Sequence, residues 1–375
     1  MRIAFVSLGS PFNRSSWSGI PYYALRELSR RFNDLTVIDT PRLDESLRYA
    51  SSLAALGVLV SREPVVTRAF GHWLDKRLTE TDADAVVSIG AAHKVAYIDP
   101  KWPVIHVADA LFGPLVDYYP KYRPLNGRTR RIGNALQRHL INRNQPIMLT
   151  SDWAARSAAE YYDVPTERFG VAPLGANFDV EPIAYERASQ GDKLKLLFVG
   201  YDWPRKGGAL VLQVFQELRR HIGDAELHIV GCKPAETFGV EGVVHYGHLS
   251  KTDPEQAAQL ESLFRTSSFL FMPSRQEAFG LVYCEACAFS LPSVARDTGG
   301  VSAIVQNGSN GLLFGPDAEV GNYVAGIREI WADEPRYLAM TRAARAAFED
   351  RLRWNVWGAR VEAEIRALGR KVNGD

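Results

Sequence analysis

Cysteine is scarce. Cys232, Cys284 and Cys287 are the only three in 375 residues, too few and too unevenly placed for a disulfide framework. A reducing compartment fits. Cys284-Glu-Ala-Cys287 has the spacing of a redox or zinc knuckle, but no second pair and no His cluster lies near it in the sequence. It therefore reads as small buried thiols on a helix, with no metal assigned. Long hydrophobic runs are also missing: no stretch approaches ~18 apolar residues, and Met1–Ser7 is too short for a signal-peptide core. The expectation is a cytoplasmic chain, neither exported by that route nor membrane-spanning. Excess charge of one sign is absent too. Lys and Arg total 44 against 43 Asp and Glu, a net charge of +1, so the whole molecule has no polyanion-binding signature and any basic surface is local.

What is present is ordinary globular material, 46% apolar and 23% charged, which excludes extensive disorder. At about 150 residues per domain, the length implies two or three domains. Short apolar runs alternate with amphipathic stretches. Strands are expected at Ile3–Ser7, Leu35–Ile38, Ala85–Ile89, Val104–Val107 and Ile147–Thr150, with helices including Tyr22–Phe32 and Ile132–Asn142. A polar stretch at Glu181–Lys193 reads as a linker. The pattern then restarts with strands at Leu194–Val199, Glu226–Val230, Val243–Tyr246, Phe269–Met272 and Ser293–Arg296. Leu210, Val214 and Leu218 mark a helix packed on the second sheet, and Pro335–Arg370 reads as helical. Buried strands separated by helices predict two doubly wound parallel-sheet domains, with ligands taken at the C-terminal strand edges in a cleft between them.

Two stretches carry chemistry. In the first, the strand ending Phe198-Val-Gly200 leads through Tyr201-Asp-Trp-Pro-Arg205-Lys206-Gly207-Gly208 into a helix. Free amides, a helix dipole and adjacent cations there suit a diphosphate; an exposed basic turn with a Gly cap is the alternative. In the second, the strand Phe269–Met272 is followed by Pro273 and a polar loop with Glu277, and a helix begins near Phe279 and carries Glu285. Eight residues at ~1.5 Å rise would separate the carboxylates by about 12 Å along the axis. That span suits a nucleotide sugar. The surrounding segment is too apolar for a solvated face.

These residues resemble retaining glycosyltransferase family four, the metal-independent glycosyl transferases group 1 of the GT-B fold. The matches are Phe198-Val-Gly200 with Arg205-Lys206-Gly207, Leu227–Gly231, Val244–Gly247, Pro273-Ser274 with Glu277 and Glu285, Phe289–Pro292, and Gly299-Gly300 before Asn307–Gly311. They cover most of residues 194–314. The first domain matches more loosely, through its opening strand, Gly19 and the Ser151–Trp153 to Pro173–Gly175 region.

The resemblance implies an acceptor-binding Rossmann-like domain over 1–180, a nucleotide-sugar-binding one over 181–355, and a final helix, 356–375, crossing back to the first. It implies that Arg205 and Lys206 hold the donor diphosphate above the amides of Phe279, Gly280 and Leu281. Glu277 would bind sugar hydroxyls near the reacting carbon and Glu285 the ribose. Gly200 closes the strand, and the turn Gly247-His248-Leu249 would border the base. Gly19 would let its loop approach the diphosphate or acceptor. No cofactor or metal is implied beyond the donor.

The sequence departs from the family pattern at Tyr201, where an Arg is common, at Ala303, where a Glu is common, and at Ala108, where a His often stands. Asp109 then becomes the candidate catalytic residue of the first domain. His106 ranks second, as a lone His in an apolar strand is more often a core residue. The implied function is a retaining hexosyltransferase moving sugar from a nucleoside-diphosphate sugar to a saccharide or lipid-linked acceptor, in surface polysaccharide or glycolipid synthesis. A nucleotide-sugar epimerase of the same fold and a non-catalytic nucleotide-sugar-binding partner subunit stand as alternatives. Between Asp117 and Asp152 there is no acidic residue, but Lys121, Arg123, Arg128, Arg130, Arg131, Arg138 and Arg143 are present. This basic segment, 121–143, reads as steering for an anionic acceptor, as peripheral contact with the inner membrane face, or as a solvated helix face. No nucleic-acid motif accompanies it.

Overall fold

The computed structural model describes residues 1–184 and 193–373. The strands are β1 (Ile3–Ser7), β2 (Leu35–Val37), β3 (Ala85–Ile89), β4 (Val104–Ala108), β5 (Ile147–Leu149), β6 (Phe169–Val171), β7 (Leu194–Val199), β8 (Ala225–Val230), β9 (Val243–Gly247), β10 (Phe269–Met272), β11 (Ser293–Arg296) and β12 (Gly311–Phe314). The helices are α1 (Ile20–Arg31), α2 (Pro41–Tyr49), α3 (Pro64–Glu80), α4 (Ala92–Val95), α5 (Phe112–Tyr118), α6 (Gly127–Asn142), α7 (Asp152–Tyr162), α8 (Gly208–Ile222), α9 (Pro254–Thr266), α10 (Leu281–Ala288), α11 (Val320–Ala332), α12 (Glu334–Arg351) and α13 (Trp354–Asn373). They form two compact units, Met1–Leu174 with Trp354–Asp375, and Gly175–Arg353. The linker expected at Glu181–Lys193 falls mostly on 185–192, outside the described residues.

The first unit holds a parallel sheet in the order β2-β1-β3-β4-β5-β6. Every residue of β1, β3 and β4 is buried, because helices cover both faces; their sequences therefore run apolar without alternation. β6 escaped the sequence pattern. It is a three-residue edge strand, Phe-Gly-Val, too short for a periodic signal. Helix α6 starts five residues before Ile132, because Asn126 Oδ1 accepts the Thr129 amide at 2.9 Å and caps it there. Helix α13 packs on α1. Arg31 donates to Glu27 Oε1 at 2.7 Å and to Glu362 Oε2 at 2.8 Å, and the Trp354 ring stacks on Tyr23.

Buried polar groups pin the C-terminal ends of these strands. Lys94 of α4 is 1% exposed, yet its Nζ donates to Ser7 O at 2.8 Å, Thr40 Oγ1 at 2.7 Å and Asp44 Oδ2 at 2.8 Å. All three ammonium protons are satisfied, which a buried lysine requires. One side chain thus ties β1, the segment after β2, and α2.

The second unit repeats the plan with β12-β11-β10-β7-β8-β9, all parallel. β12 is again an unforeseen edge strand, paired to β11 from Ser293↔Gly311 to Arg296↔Phe314. Cys284 and Cys287 are buried in α10, and burial pushes both thiols up, Cys287 to about 12. Such thiols are inert. Among the described residues no group of three or more His, Cys, Asp and Glu is placed to hold a metal, and no helix is long and apolar enough to cross a membrane.

His106 lies 2% exposed in β4, its Nδ1 3.0 Å from Ser88 Oγ. Burial, then the Arg62 cation, pushes the imidazole down to about 3 from 6.5. Between those values the unfolded chain binds the proton and the native one does not, so stability falls as pH drops through that window. Urea unfolding at pH 7 and pH 4 should show His106→Asn losing roughly 2–3 kcal/mol less than the unsubstituted chain on acidification. Equal losses in the two proteins would refute a buried neutral His106.

Candidate active site

The chemistry-bearing residues of the second unit gather at the C-terminal ends of β7 and β10. Gly200 N donates to Val230 O at 2.9 Å, closing the strand. The loop behind it is wound tight, with Lys206 N on Asp202 O at 2.9 Å and Gly208 N on Trp203 O at 2.8 Å. Trp203 is buried edge-on against Phe198 and donates its indole N–H to Glu236 Oε1 at 2.7 Å, so the loop is anchored from beneath. Gly207 has φ +80°, and a Cβ there would stand 2.2 Å from Pro273 O. Only glycine lets the β7–α8 loop lie directly on the end of β10.

The two loops are bonded along their length. Arg275 N donates to Arg205 O at 2.8 Å, and Arg205 Nη1 to Gln276 O at 2.9 Å. Arg205 Nε also donates to Asp202 Oδ2 at 3.0 Å, which orients the guanidinium. Lys206 Nζ donates to Glu277 Oε2, and Arg205 Nη1 lies 3.9 Å from that same oxygen. Glu277 is 9% exposed, so its charge is tolerated only because these cations face it. Arg205, Lys206 and Glu277, separated by some seventy residues of sequence, thus form one cluster.

Helix α10 starts at Leu281, two residues after Phe279. Gly280, at φ +101°, caps it in the left-handed region, where a Cβ would meet the Tyr283 ring at 2.5 Å. Glu277 and Phe279 therefore lie in the loop, and the helical spacing of about 12 Å does not describe the distance between the carboxylates. Tyr283 Oη donates to Met272 O at 2.5 Å, fixing the helix to the strand end. Residues 283–288 are all buried, so α10 has no solvated face on which Glu285 could sit. Glu285 is 5% exposed, and Lys251 Nζ donates to its Oε1. Lys251 comes from the Gly247–Asp253 turn. In that turn His248 stacks on Tyr201, centroids 5.6 Å apart, and Asp253 Oδ1 caps α9 through the amides of Glu255 and Gln256.

Two buried carboxylates, each against a lysine, beside an arginine and two helix N-termini, can grip a ligand that is polyhydroxylated and anionic. Carboxylates accept from hydroxyls, while the cations and amides take oxyanions. Sequence reasoning missed Lys251, whose partner is thirty-four residues distant, and the Tyr201–His248 stack. It also missed Asp202, although an Asp three residues before Arg205 is a legible local pair.

In the first unit, Gly19 caps α1 at φ +82° after Trp17 and Ser18, which also have positive φ. The Trp17 ring lies against Gly90, at the end of β3, where a Cβ would meet it at 2.5 Å. Asp109 directly follows β4; its Oδ1 accepts Ala110 N at 2.9 Å and its carbonyl accepts Thr150 Oγ1 at 3.0 Å. His106 is a core residue with its hydroxyl partner. The basic segment is less concentrated than its sequence suggests. Arg128 pairs with Glu63, Arg130 with Asp117, Arg138 with Tyr162 O, and Arg143 with Ile98 O and Trp102 O.

The Lys206–Glu277 contact is open to a double-mutant cycle. Lys206→Met and Glu277→Gln should each destabilise the second unit, and together by about 2 kcal/mol less than their sum, as removing one partner strands the other charge. Additivity within about 0.5 kcal/mol in urea unfolding would show that the pair does not join the loops.

Residues 180–347 match the family model described as glycosyl transferases group 1. The D-inositol 3-phosphate glycosyltransferase of Corynebacterium glutamicum (strain R) is 24% identical over 234 residues, 56% of this chain and 54% of that protein. The GDP-mannose-dependent alpha-(1-6)-phosphatidylinositol monomannoside mannosyltransferase of Mycolicibacterium smegmatis is 29% identical over 250 residues, 62% of this chain and 63% of that protein. The alignments thus span little more than half of these relatives. Among solved structures, Anabaena Alr3699/HepE in complex with UDP superposes with a TM-score of 0.68 at 13% identity, over 98% of this chain and 100% of that one. Over residues 180–347 the chain is thus similar to the glycosyl transferases group 1, and its two six-stranded parallel sheets have the GT-B fold.

Proposed function

We propose that the chain is a family-four glycosyltransferase that moves a hexose-type sugar from a nucleoside-diphosphate sugar to a saccharide or lipid-linked acceptor, with retention and without a metal. The observation that carries this is the buried Glu277 held among Lys206 and Arg205 at the mouth of α8. A sugar nucleotide offers hydroxyls to the carboxylates and a diphosphate to the cations. The names of the relatives, which cite GDP-mannose and inositol phosphate, are consistent with such a donor and with polar acceptors.

In the proposed reaction the bond from the anomeric carbon to the diphosphate oxygen breaks, and the acceptor oxygen bonds to that carbon on the same face. The acceptor proton passes to the departing phosphate oxygen, so no strong protein base is needed. Arg205 and Lys206 stabilise the charge that develops on the diphosphate, a role that preorganised cations fill without solvent reorganisation. Glu277 orients the sugar and Glu285 the ribose. Lys251 is a positioning residue that holds the Glu285 carboxylate in its rotamer. His248 and Tyr201 offer an aromatic surface beside the turn expected to border the base. Asp109 orients the acceptor hydroxyl, and Gly19 lets its loop come close.

Thermal-shift measurements against UDP, GDP, ADP and TDP test the donor. A nucleotide at about 100 times its Kd stabilises the native state by ~2.7 kcal/mol, and one of the four should raise the melting temperature clearly. With the matching nucleotide sugar and an acceptor panel, Glu277→Gln and Glu285→Gln should lower transfer about ten- to hundredfold while melting remains cooperative. Full activity in both variants would defeat the assignment. Epimer formation without acceptor would point instead to an epimerase, and nucleotide binding without turnover to a non-catalytic subunit.

A further inference from the structure

Three neighbouring strands of the second sheet, β7, β8 and β9, finish on glycine. Gly200 directly follows β7, Gly231 directly follows β8, and Gly247 is the last residue of β9. They are stitched together, Gly200 N donating to Val230 O at 2.9 Å and Gly231 N to Gly247 O at 2.6 Å. Gly231, at φ +99°, has no room for a side chain, since a Cβ would stand 2.6 Å from Gly200 O. All three glycines are partly exposed. At the ordinary spacing of ~4.8 Å between strands, their ends present a strip of bare backbone about 10 Å across, against which a flat ring can lie.

A lysine stands at each end of the strip. Lys206, after β7, faces the Glu277 carboxylate. Lys233, two residues beyond Gly231, folds over the β9 end: a Cβ on Gly247 would lie 3.2 Å from Lys233 Cε and 3.8 Å from its Nζ. Among the described residues Lys233 Nζ has neither an ion-pair partner nor a hydrogen-bond acceptor. Glu236, three residues on, accepts the Trp203 indole N–H instead. His245 offers no counter-charge, because burial and then the Lys233 cation push its imidazole below the ordinary value.

An aromatic pair borders the same strip. Tyr201 follows Gly200 and His248 follows Gly247, and their rings stack with Tyr201 still 70% exposed. An exposed lysine on a loop is ordinarily solvated. Lys233 differs in place, with its stem laid against a glycine between bare strand ends and a stacked pair. An ammonium carries donors only, so it answers to acceptor atoms. On a nucleobase edge a ring carbonyl meets that need, whereas an exocyclic amino group in the same position is itself a donor and opposes it.

We propose that Lys233 selects the base of the donor nucleotide, donating to a carbonyl oxygen at purine C6 or pyrimidine C4 and rejecting bases that carry an amino group there. This rests on the donor reading above and deepens it, by naming a side chain that chooses among bases where the Gly247-His248-Leu249 turn offers backbone and an aromatic face. The arrangement is consistent along the ligand. Arg205 and Lys206 take the diphosphate at the β7 end, and the turn after β9 also supplies Lys251, the partner of Glu285, so the ribose and base contacts adjoin.

Calorimetric titration of the full chain with matched diphosphates tests this. UDP is compared with CDP, and GDP with the diphosphate of 2,6-diaminopurine riboside; each pair exchanges a carbonyl for an amino group at the position in question. In one pair the carbonyl member should bind about tenfold tighter or more. Lys233→Met should narrow that preference to about threefold or less, by weakening the carbonyl member. Lys233→Arg retains a donor and should keep the direction of the preference. Loss of charge by itself weakens both members alike and leaves their ratio unchanged.

An unchanged ratio in Lys233→Met, tighter binding of an amino member by the unsubstituted chain, or no binding in either pair would overturn the proposal. Lys233 is exposed, so cooperative melting of both variants should match the unsubstituted chain. The fate of the donor reading is separate. Nucleotide binding with an unchanged ratio removes Lys233 and leaves that reading standing. If neither pair binds, the thermal shift with ADP and TDP decides the donor reading without Lys233.

Discussion

The second unit depends on one buried ion pair. Lys206 sits at the end of the loop after β7 and Glu277 in the loop after β10, two neighbouring strands of the sheet. Neither charge is acceptable alone in so little solvent, and each makes the other tolerable. Because the pair spans two loops, it fixes their relative position at the strand ends. Gly207 permits the approach by having no side chain, and the hydrogen bonds from Arg275 N and Arg205 Nη1 complete the seam. The site is thus rigid where its cations and carboxylate meet. Rigidity there is what a preorganised electrostatic site requires.

The first unit uses a different device for the same end. Lys94 is buried more deeply than Lys206, and its three protons reach three separate segments of chain. It clamps the ends of strands without facing any expected substrate group. Arg62, in the same unit, is the contrasting case, a cation with one buried nitrogen that no hydrogen-bond acceptor meets.

The two carboxylates of the second unit are held in different ways. Glu277 is set by loop geometry and by cations from the loop after the neighbouring strand β7, while Glu285 is set by helix α10 and by Lys251 from the turn after β9. The helix is anchored through the Tyr283 hydroxyl on Met272 O and capped by a glycine in a conformation other residues resist. Since the carboxylates are anchored on different elements, their separation can be tuned independently of the helix rise.

The sequence by itself determined the alternation of buried strands and helices, hence two doubly wound sheets, since uninterrupted apolar runs are the local mark of strands covered on both faces. It also singled out Arg205, Lys206, Glu277 and Glu285 as candidates, because loops after strands, glycines at helix starts and acids in an apolar setting are short-range features, and the fold brings the first three together. Edge strands β6 and β12 were illegible, being too short for periodicity and dependent on one backbone ladder. The pairing of Lys251 with Glu285 was decided only by tertiary structure, as were the satisfied charge of Lys94 and the unpaired nitrogen of Arg62. Charge compensation acts across space, and the partners that settle it stand tens of residues apart, where no spacing rule reaches.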